Sequence, residues 1–388
     1  MTHSPLHVGL VYDDTLDRHG GIGQYLTTLG RELQARGHHV SYLVGESSAE
    51  VRHGAAVWSL ARNLEVRFNG NRLSMPVASR RSHLRHAQRQ GDFDVLHVQV
   101  PYSPLMAGRL ITLASRSTAV VGTFHVASDR LMPCIGARLL RLWCAPTARR
   151  FDQMMCVSRT AAGFARRWFS MPDSVVVPNM IDLSAARAIA GQAPPSDRRR
   201  ICFVGSLVPR KGIDRLVRAV AILGEEAPQL LIAGQGPLES SLRRAVEKAA
   251  VGDRVRFLGA VSEAEKYRLL ATSTLSCFPS RFGESFGIVL LEAMAAGGLA
   301  VGGTNAGYAE LLPTDHLVSC DDPARLSAEL QSLMADPGRR SALRAEQQVL
   351  VERFDAPLVT DQVLKVYERA LSRRRSWPAV RTPEPALA

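Results

Sequence analysis

Short apolar runs alternate along this chain with segments in which apolar residues recur every three or four positions. The first run is His7–Tyr12, and the segment 23–35 that follows has the spacing of a helix closed by Gly37. Continuous apolar runs are typical of strands buried on both faces of a parallel sheet, and the helices between them supply the crossovers. The pattern therefore predicts an α/β fold built from doubly wound parallel sheets.

The alternation occurs twice, which indicates two domains. Small, proline and charged residues at 188–200 interrupt it and predict a linker. Further strands are expected before the linker at 40–44, 94–98, 119–124, 153–157 and 175–177, and after it at 201–205, 230–234, 255–259, 273–278 and 299–302. We expect Rossmann-like domains at 1–187 and 201–355 that face each other across a cleft, a closing helix at 356–373 and a disordered tail at 374–388.

Composition excludes several classes of protein. The chain has 388 residues and is 46% hydrophobic, and its apolar runs stay far below the roughly 18 residues that span a bilayer. No signal peptide is visible at the N-terminus, which predicts a cytoplasmic protein. The six cysteines, at 134, 144, 156, 202, 277 and 320, show no CxxC spacing. They are therefore expected to be reduced core thiols, with neither a disulfide framework nor a metal site.

The formal net charge of +12 indicates an anionic partner. No acidic residue lies between Glu65 and Asp92, and arginines recur there at four-residue spacing. On a helix they would form a basic stripe opposite Leu84, consisting of Arg80, Arg81, Arg85 and Arg89. An anionic membrane surface is the favoured partner, and a merely solvated face is the alternative. Nucleic acid is disfavoured because aromatic residues, 6% of the chain, are not interleaved with the arginines.

Two carboxylates eight positions apart are the most informative candidate site. Glu284 follows the predicted strand 273–278 in a loop, and Glu292 lies within an apolar helix. A buried Glu requires a partner, and the carboxyl ends of parallel strands are where α/β sheets bind ligands. Ser285 is expected to cap the helix, whose first N–H groups could bind an anion. The segment Ser285, Phe286, Gly287 and Ile288 with both carboxylates therefore predicts a nucleotide-sugar site. In the structural alternative, Glu284 is solvated and Glu292 forms a salt bridge with an arginine elsewhere in the core.

Three further features lie where strands are expected to end. Gly21, in a Gly-Gly-Ile-Gly turn, would let the backbone approach a phosphate. Arg210 and Lys211 follow the first strand of the second domain and could bind a diphosphate by charge-assisted hydrogen bonds. His125 ends the strand 119–124 and would face the second domain across the cleft. Each feature also has a structural alternative. The glycines could form a simple turn, the two cations could be solvated, and the histidine could have only a structural role.

With these residues, almost the whole chain resembles the retaining glycosyltransferases of family 4, which have the GT-B fold. The resemblance is carried by the Glu-x7-Glu element at 284–292, by Gly91–Val98, by Thr123–His125 and by the polybasic helix directly before Gly91. Within the family, the sequences of these segments are similar to those of enzymes that mannosylate phosphatidylinositol.

The resemblance implies a role for each matching position. Glu284 would bind hydroxyls of the donor sugar, and His125 would lie beside the reacting centre. Lys211, helped by Arg210, would bind the diphosphate with Gly21 opposite. Ser206 stands where members usually have Arg, so Arg210 would replace that contact.

The nucleotide and acceptor ends have implied roles as well. Glu292 would hold the ribose, Glu263 would read guanine, and Lys266 would lie near the base. Tyr12 would line the acceptor side. The first glycine loop is longer than in relatives, at 13–19.

The implied activity is retaining transfer of a hexose, most simply mannose from GDP-mannose, to a membrane-associated acceptor such as phosphatidylinositol or a related glycolipid. No metal and no cofactor are expected, because the nucleotide sugar is the donor substrate. The enzyme would be peripheral on the inner face of the plasma membrane. One alternative is a UDP-sugar with a soluble or polyprenyl-linked acceptor. Others are a nucleotide-sugar epimerase, a dehydrogenase (disfavoured because the dinucleotide fingerprint is absent) and a non-catalytic protein that binds anionic surfaces.

Overall fold

The computed structural model describes residues 4–17, 20–68, 71–127, 141–145, 147–169, 174–194 and 199–375. Two sheets of parallel character, of eight and six strands, form its two lobes, which confirms the α/β architecture. Before residue 180 the described strands are β1 (His7–Tyr12), β2 (His39–Val44), β3 (Val51–Arg52), β4 (Ala55–Ser59), β5 (Arg62–Phe68), β6 (Asn71–Ala78), β7 (Val95–Gln99), β8 (Ala119–Phe124), β9 (Gln153–Cys156) and β10 (Ser174–Val176).

The first sheet has the order β10-β9-β8-β7-β1-β2-β4-β3. All its neighbouring strands are parallel except β3, which pairs antiparallel with β4. The helices of this part of the chain are α1 (Gly21–Ala35), α2 (Arg81–Gly91), α3 (Met106–Leu113), α4 (Arg159–Phe169) and α5 (Leu183–Ala190). Because the central strands are buried on both faces, the carboxyl edge of the sheet is where its polar side chains can meet a ligand.

The second sheet consists of β11 (Arg200–Val204), β12 (Gln229–Ala233), β13 (Val255–Gly259), β14 (Leu275–Phe278), β15 (Ala300–Gly303) and β16 (Leu317–Val318). Its order is β13-β12-β11-β14-β15-β16, and every pair is parallel. The order reverses direction at β11, so β11 and β14 border the crevice where such sheets bind ligands. The helices of this lobe are α6 (Ile213–Ile222), α7 (Glu239–Lys248), α8 (Glu263–Thr272), α9 (Ile288–Ala295), α10 (Ala306–Ala309), α11 (Pro323–Ala335) and α12 (Pro337–Val351).

The last helix, α13 (Ala356–Arg375), returns to the first lobe. Its buried residues Val359, Val363 and Tyr367 belong to the same apolar core as strands β1, β7 and β8. Arg374 Nε donates to the carboxylate of Asp152, 2.7 Å away, and fastens the basic end of the helix beside β9. The chain therefore passes between the lobes twice.

Several local expectations need correction. The strands at 51–78, among them the antiparallel hairpin of β5 and β6, were not predicted. Helix α1 begins two residues earlier than expected, at Gly21, and α5 includes the first residues of the predicted linker. Helix α13 extends to Arg375, so the first two residues of the predicted tail are helical. Residues 376–388 lie outside the described ranges, and the domain limits remain predictions.

The cysteine interpretation can be checked at five of its six positions. Cys144, Cys156, Cys202, Cys277 and Cys320 are free and buried, as expected for core thiols. Cys134 lies outside the described residues. Within the described ranges, no helix has the length and apolarity that crossing a membrane requires.

Candidate functional site

The loop at 283–287 connects β14 to α9 and forms the centre of the candidate site. Gly283 and Gly287 have φ angles of 72° and 108°, which favour glycine. Gly287 is the residue that precedes the helix, so the expectation that Ser285 caps α9 is wrong. The left-handed turn places Ser285 upstream of the cap, and its hydroxyl instead donates to the carbonyl oxygen of His125 at 2.6 Å. This bond links the loop to the opposite lobe.

Glu284 lies between two cations. Its Oε1 atom is 2.7 Å from both Arg210 Nη1 and Lys211 Nζ. Burial alone would raise the pKa of Glu284, but the charges of Lys211 and Arg210 outweigh it and hold the pKa below its ordinary range. The carboxylate is therefore ionised near pH 7, and it is not the solvated loop residue of the structural alternative.

The position of both cations depends on Gly212. This glycine has a φ of 66°, and a Cβ atom there would collide with the carbonyl oxygen of Pro279. Any other residue would force apart the turn after β11 and the end of β14. The short turn Pro209–Lys211 before Gly212 consequently aims its two cations at the loop that follows β14.

Glu292 has the partner that its burial requires. It is only 5% exposed, and its Oε1 atom accepts a hydrogen bond of 2.6 Å from Lys266 Nζ. Lys266 projects from α8, whose start is fixed by a capping box between Ser262 and Glu265. The structural alternative was therefore right that Glu292 forms a salt bridge, but the partner is a lysine that had itself been predicted near the nucleotide base.

His125 is held in a neutral state. Its Nε2 atom lies 2.7 Å from Gln99 Oε1, and the ring of Tyr25 meets it edge-on at 5.5 Å. Burial lowers the pKa of His125 to about 3. Since the imidazole is neutral near pH 7, it can serve there as a hydrogen-bonding group but not as a cationic acid.

The starts of three helices meet across the cleft. A Cβ atom built on Gly21 would lie 3.6 Å from Ile288 Cγ2, an ordinary contact distance, so the glycine leaves a gap one methyl group wide between α1 and α9. Gln24 Nε2 donates to Glu263 Oε1 at 3.2 Å and so connects α1 to α8. Glu310 accepts hydrogen bonds from the backbone N–H groups of Arg159 and Thr160 at the start of α4. The two lobes are thus in contact around the site.

The remaining predicted residues lie elsewhere or play another part. Phe286 is buried in an apolar cluster that also contains Phe124 and Leu290, so only its backbone is available for a ligand. Tyr12 ends β1 in a half-buried position, and burial raises its pKa. The four stripe arginines lie on and just before α2, whose Leu84 faces the core as expected. They are exposed and form no ion pair with the described residues, and α2 packs against α3 rather than at the cleft.

Sequence reasoning missed a buried polar network beneath His125. His97 is fully buried, and its two ring nitrogens lie 2.8 Å from Tyr367 Oη and 2.6 Å from Thr123 Oγ1. Burial, with His125 nearby, lowers the pKa of His97 to about 3. The sequence did contain a signal for this network. His97 and Gln99 alternate with apolar residues in β7, so their side chains lie on the same face of the strand. Because the strand is covered on both faces, polar side chains there need hydrogen-bond partners.

One group of possible metal ligands occurs in the part of the chain that the structure describes, at Asp315, His316 and Glu346. It lies apart from the cleft residues. Gln347 pairs with both the N–H and the C=O of Ala300, which fixes its amide, and its Nε2 then donates to His316 Nδ1. His316 therefore carries its proton on Nε2 and donates it to Glu346 at 3.0 Å. The group is arranged as a hydrogen-bonded chain.

Comparison with known proteins agrees with this geometry. Residues 19–185 match Glycosyltransferase Family 4, and residues 186–349 match Glycosyl transferases group 1. The phosphatidyl-myo-inositol mannosyltransferase of Mycobacterium leprae is 31% identical over 378 residues, which cover 94% of this chain and 96% of the relative. The enzyme of that name from Mycolicibacterium smegmatis is 30% identical and covers 94% of both chains.

The solved structures agree on the fold. Anabaena HepE in complex with UDP-glucose superimposes with a TM-score of 0.74 at 17% identity, covering 93% of this chain and 99% of that protein. Three findings lead to one assignment. The two family matches together run from residue 19 to 349, two mannosyltransferases align over nearly the full length, and the two-lobed fold is shared. This chain belongs to family 4 of the retaining glycosyltransferases and has the GT-B fold.

Proposed function

We propose that this protein transfers mannose from GDP-mannose, with retention of configuration, to a membrane-associated acceptor such as phosphatidylinositol or a related glycolipid. One observation carries the proposal. The loop 283–287 binds two cations of its own lobe through Glu284 and binds His125 of the other lobe through Ser285. Charge for a diphosphate and hydrogen-bonding groups for a sugar therefore converge on one point of the cleft. The named mannosyltransferases, about 30% identical over 94% of the chain, support the substrate assignment.

The ion cluster explains how a donor would be accommodated. Arg210 and Lys211 both pair with the Glu284 carboxylate. A diphosphate would attract both cations through charge-assisted hydrogen bonds, and the carboxylate they leave would accept hydroxyl hydrogens of the sugar. As the glycosidic bond breaks, negative charge grows on the leaving phosphate. The two cations and the N–H groups at the start of α9 would stabilise that charge, so the proposal requires no metal.

The second ion pair would hold the nucleoside. Glu292 would accept from ribose hydroxyls, with Lys266 beside the base. Glu263 accepts a hydrogen bond of 3.2 Å from Gln24 at the cleft, and in the proposal a nucleotide base would donate to the same carboxylate. Guanine presents adjacent N1 and N2 hydrogens to such a carboxylate, whereas uracil has no equivalent pair. The donor favoured by these residues is therefore a guanine nucleotide.

Retention would follow from attack on the face from which the diphosphate leaves. The departing phosphate oxygen would take the proton of the acceptor hydroxyl, so the chain needs no carboxylate nucleophile. His125, neutral and at the end of β8, would bind a sugar hydroxyl, and Tyr12 would line the acceptor side. Contact between the lobes would exclude water from the reacting centre while the donor is bound.

The arginine stripe would bring the enzyme to its acceptor. Four exposed arginines without described acidic partners would be attracted to an anionic leaflet, each contributing about 1 kcal/mol near the surface. Binding there would make the protein peripheral on the inner face of the plasma membrane.

A UDP-sugar donor with a soluble or polyprenyl-linked acceptor is the second candidate. The Anabaena protein HepE, which shares the fold, was solved with UDP-glucose. The test begins with thermal unfolding in the presence of GDP, UDP, ADP or NAD at equal concentration, because a ligand that binds the folded state raises the Tm. Stabilisation by GDP alone supports the proposal. Stabilisation by UDP favours the second candidate, and stabilisation by NAD alone contradicts the proposed chemistry.

Transfer is then measured with GDP-mannose and phosphatidylinositol vesicles. Glu284→Gln should reduce the rate at least about 100-fold, since it removes the carboxylate that would bind the sugar. Glu247→Gln, an exposed change in the same lobe, is the matched control and should behave as wild type. Turnover of Glu284→Gln near the wild-type rate, with the fold intact, would contradict the site.

Vesicle flotation tests the membrane assignment separately. Replacing the stripe Arg80, Arg81, Arg85 and Arg89 with Ser should weaken binding to anionic vesicles and leave nucleotide binding unchanged. The control removes four exposed charges from the other lobe, at Arg218, Arg244, Arg256 and Arg268. Equal loss of binding in both variants would show that net charge, and not the stripe, attracts the protein.

A further inference from the structure

Gln99 occupies the sheet edge between the predicted donor and acceptor sides. It is the last residue of β7, and it pairs in register with Thr123 of β8, two residues before His125. On its other side Val98 pairs with Val11, so the next residue of β1 is Tyr12. Gln99 is fully buried. It therefore lies between Tyr12 and His125 at the carboxyl edge where this sheet faces the cleft.

The amide oxygen of Gln99 determines the proton position on His125. Oε1 lies 2.7 Å from His125 Nε2, and an amide oxygen can only accept. With the Gln99 amide in this orientation, the Nε2 atom carries the hydrogen. In a neutral imidazole the other nitrogen, Nδ1, then has a free lone pair, and none of the described residues donates to it.

The amide nitrogen is the other hydrogen-bonding group of the Gln99 side chain. It is buried and has no hydrogen-bond partner among the described residues. Buried polar groups in native proteins are nearly always paired, so an orphaned donor needs an explanation. Its carbonyl end is already fixed by His125, so the unpaired N–H lies beside the imidazole at the end of the strand.

We propose that Gln99 is a positioning and specificity residue: its carbonyl fixes His125 as the Nε2–H tautomer, and its amide N–H donates to a hydroxyl oxygen of the substrate. His125 Nδ1 then accepts a hydroxyl hydrogen, so the pair recognises a polyhydroxylated ring with one donor and one acceptor. The tautomer part is independent of the reaction. The hydroxyl part rests on the proposed function, since it places a sugar or cyclitol next to His125.

The tautomer is tested by long-range ¹H–¹⁵N NMR on protein with ¹⁵N-labelled histidine, with the His125 signals identified by their loss in His125→Asn. The proposal expects a protonated Nε2 and an unprotonated Nδ1 in the wild type, and loss of this fixed pattern in Gln99→Met. A wild-type His125 protonated on Nδ1 would overturn it. This measurement needs no substrate, so it stands if mannosyl transfer is not observed.

Kinetics with GDP-mannose and phosphatidylinositol vesicles test the catalytic consequence. In Gln99→Glu the carboxylate still accepts from Nε2–H but favours the imidazolium, which protonates Nδ1. Activity should then be low near pH 7 and rise with pH. Gln99→Met should be impaired at every pH, and the wild type should lack the rising limb. Identical pH profiles for the two variants would refute the positioning role.

The same data identify which substrate carries the hydroxyl, because both variants lack the amide donor. An increase of about tenfold or more in the KM for GDP-mannose assigns it to the transferred sugar. An equal increase in the KM for the lipid assigns it to the acceptor. Unchanged KM values for both substrates would refute hydroxyl binding by Gln99, and thermal unfolding of each variant confirms that the fold is retained.

Discussion

Replacing Lys266 with Met should destabilise the protein much more than replacing Lys266 and Glu292 together. Glu292 is 5% exposed, and Lys266 is the one cation within salt-bridge distance of it among the described residues. Removing one member of a buried ion pair leaves an uncompensated charge and costs about 3–5 kcal/mol. For a lobe of this size, that loss corresponds to a decrease in Tm of roughly 6–20 °C.

The double variant Lys266→Met/Glu292→Met should recover most of this loss. Met at 292 suits a helix that already buries Leu290, Leu291 and Met294, and replacing a buried pair with apolar residues is often neutral. Glu292→Met alone should lie between the two, because the Lys266 side chain is 16% exposed and its ammonium group can reach water.

Urea unfolding followed by circular dichroism measures all three variants. Lys248→Met is the matched control, because Lys248 is exposed at the end of α7, and it should change stability by less than about 1 kcal/mol. If Lys266→Met were as stable as this control, the pair would be too hydrated to behave as a buried one, and the reasoning would be refuted. If the double variant were as unstable as Lys266→Met, packing and not charge would be responsible.

Three further predictions concern other parts of the molecule. The folded-state pKa of Glu284 lies below its ordinary value of 4.5, so the stabilisation that the ionised carboxylate provides is complete above pH 4.5 and is lost as the pH falls through the folded pKa. Glu284→Gln should therefore flatten the acid side of a curve of Tm against pH. An unaltered curve would argue against the cation cluster. Gln347→Leu should lower the free energy of unfolding by about 3 kcal/mol or more, measured in urea, because it leaves the N–H and C=O of Ala300 buried without partners. Glu310→Ala removes a cap supplied to α4 by the other lobe, so it should lower stability by about 1 kcal/mol and increase the radius of gyration in X-ray scattering; an unchanged radius would show that this contact does not hold the lobes together.

The sheets could be predicted because their strands are continuous apolar runs that helices separate, a pattern that local physics sets. The hairpin of β5 and β6 could not be predicted in this way, because it pairs polar and arginine-rich segments. Residues 62–78 were interpreted by their charge, and their strands were missed. The start of α9 was misplaced for a similar reason. Ser285 is a good cap by residue type, but the left-handed Gly287 moves the cap two residues on and releases the hydroxyl for His125.

For the candidate site, residue types were predictable and partners were not. The burial of Glu292 required a cation, but nothing in the sequence states that a lysine 26 positions earlier reaches it. Gln99 was overlooked because glutamine is chemically unremarkable until its neighbours are known. Its importance comes from strand order, which places β7 between β1 and β8. Register across a sheet is a long-range property, and a single sequence does not display it.

The return of α13 to the first lobe has a consequence for synthesis on the ribosome. Val359, Val363 and Tyr367 cover a sheet whose first strand, β1, begins at His7, so the first lobe lacks part of its core until nearly the whole chain has been translated. Domains usually fold as units while the chain emerges. Here the second lobe can fold first, while an apolar surface of the first lobe stays exposed until α13 has been synthesised. A truncated first lobe made alone should aggregate, and supplying 356–375 as a separate peptide should restore its solubility.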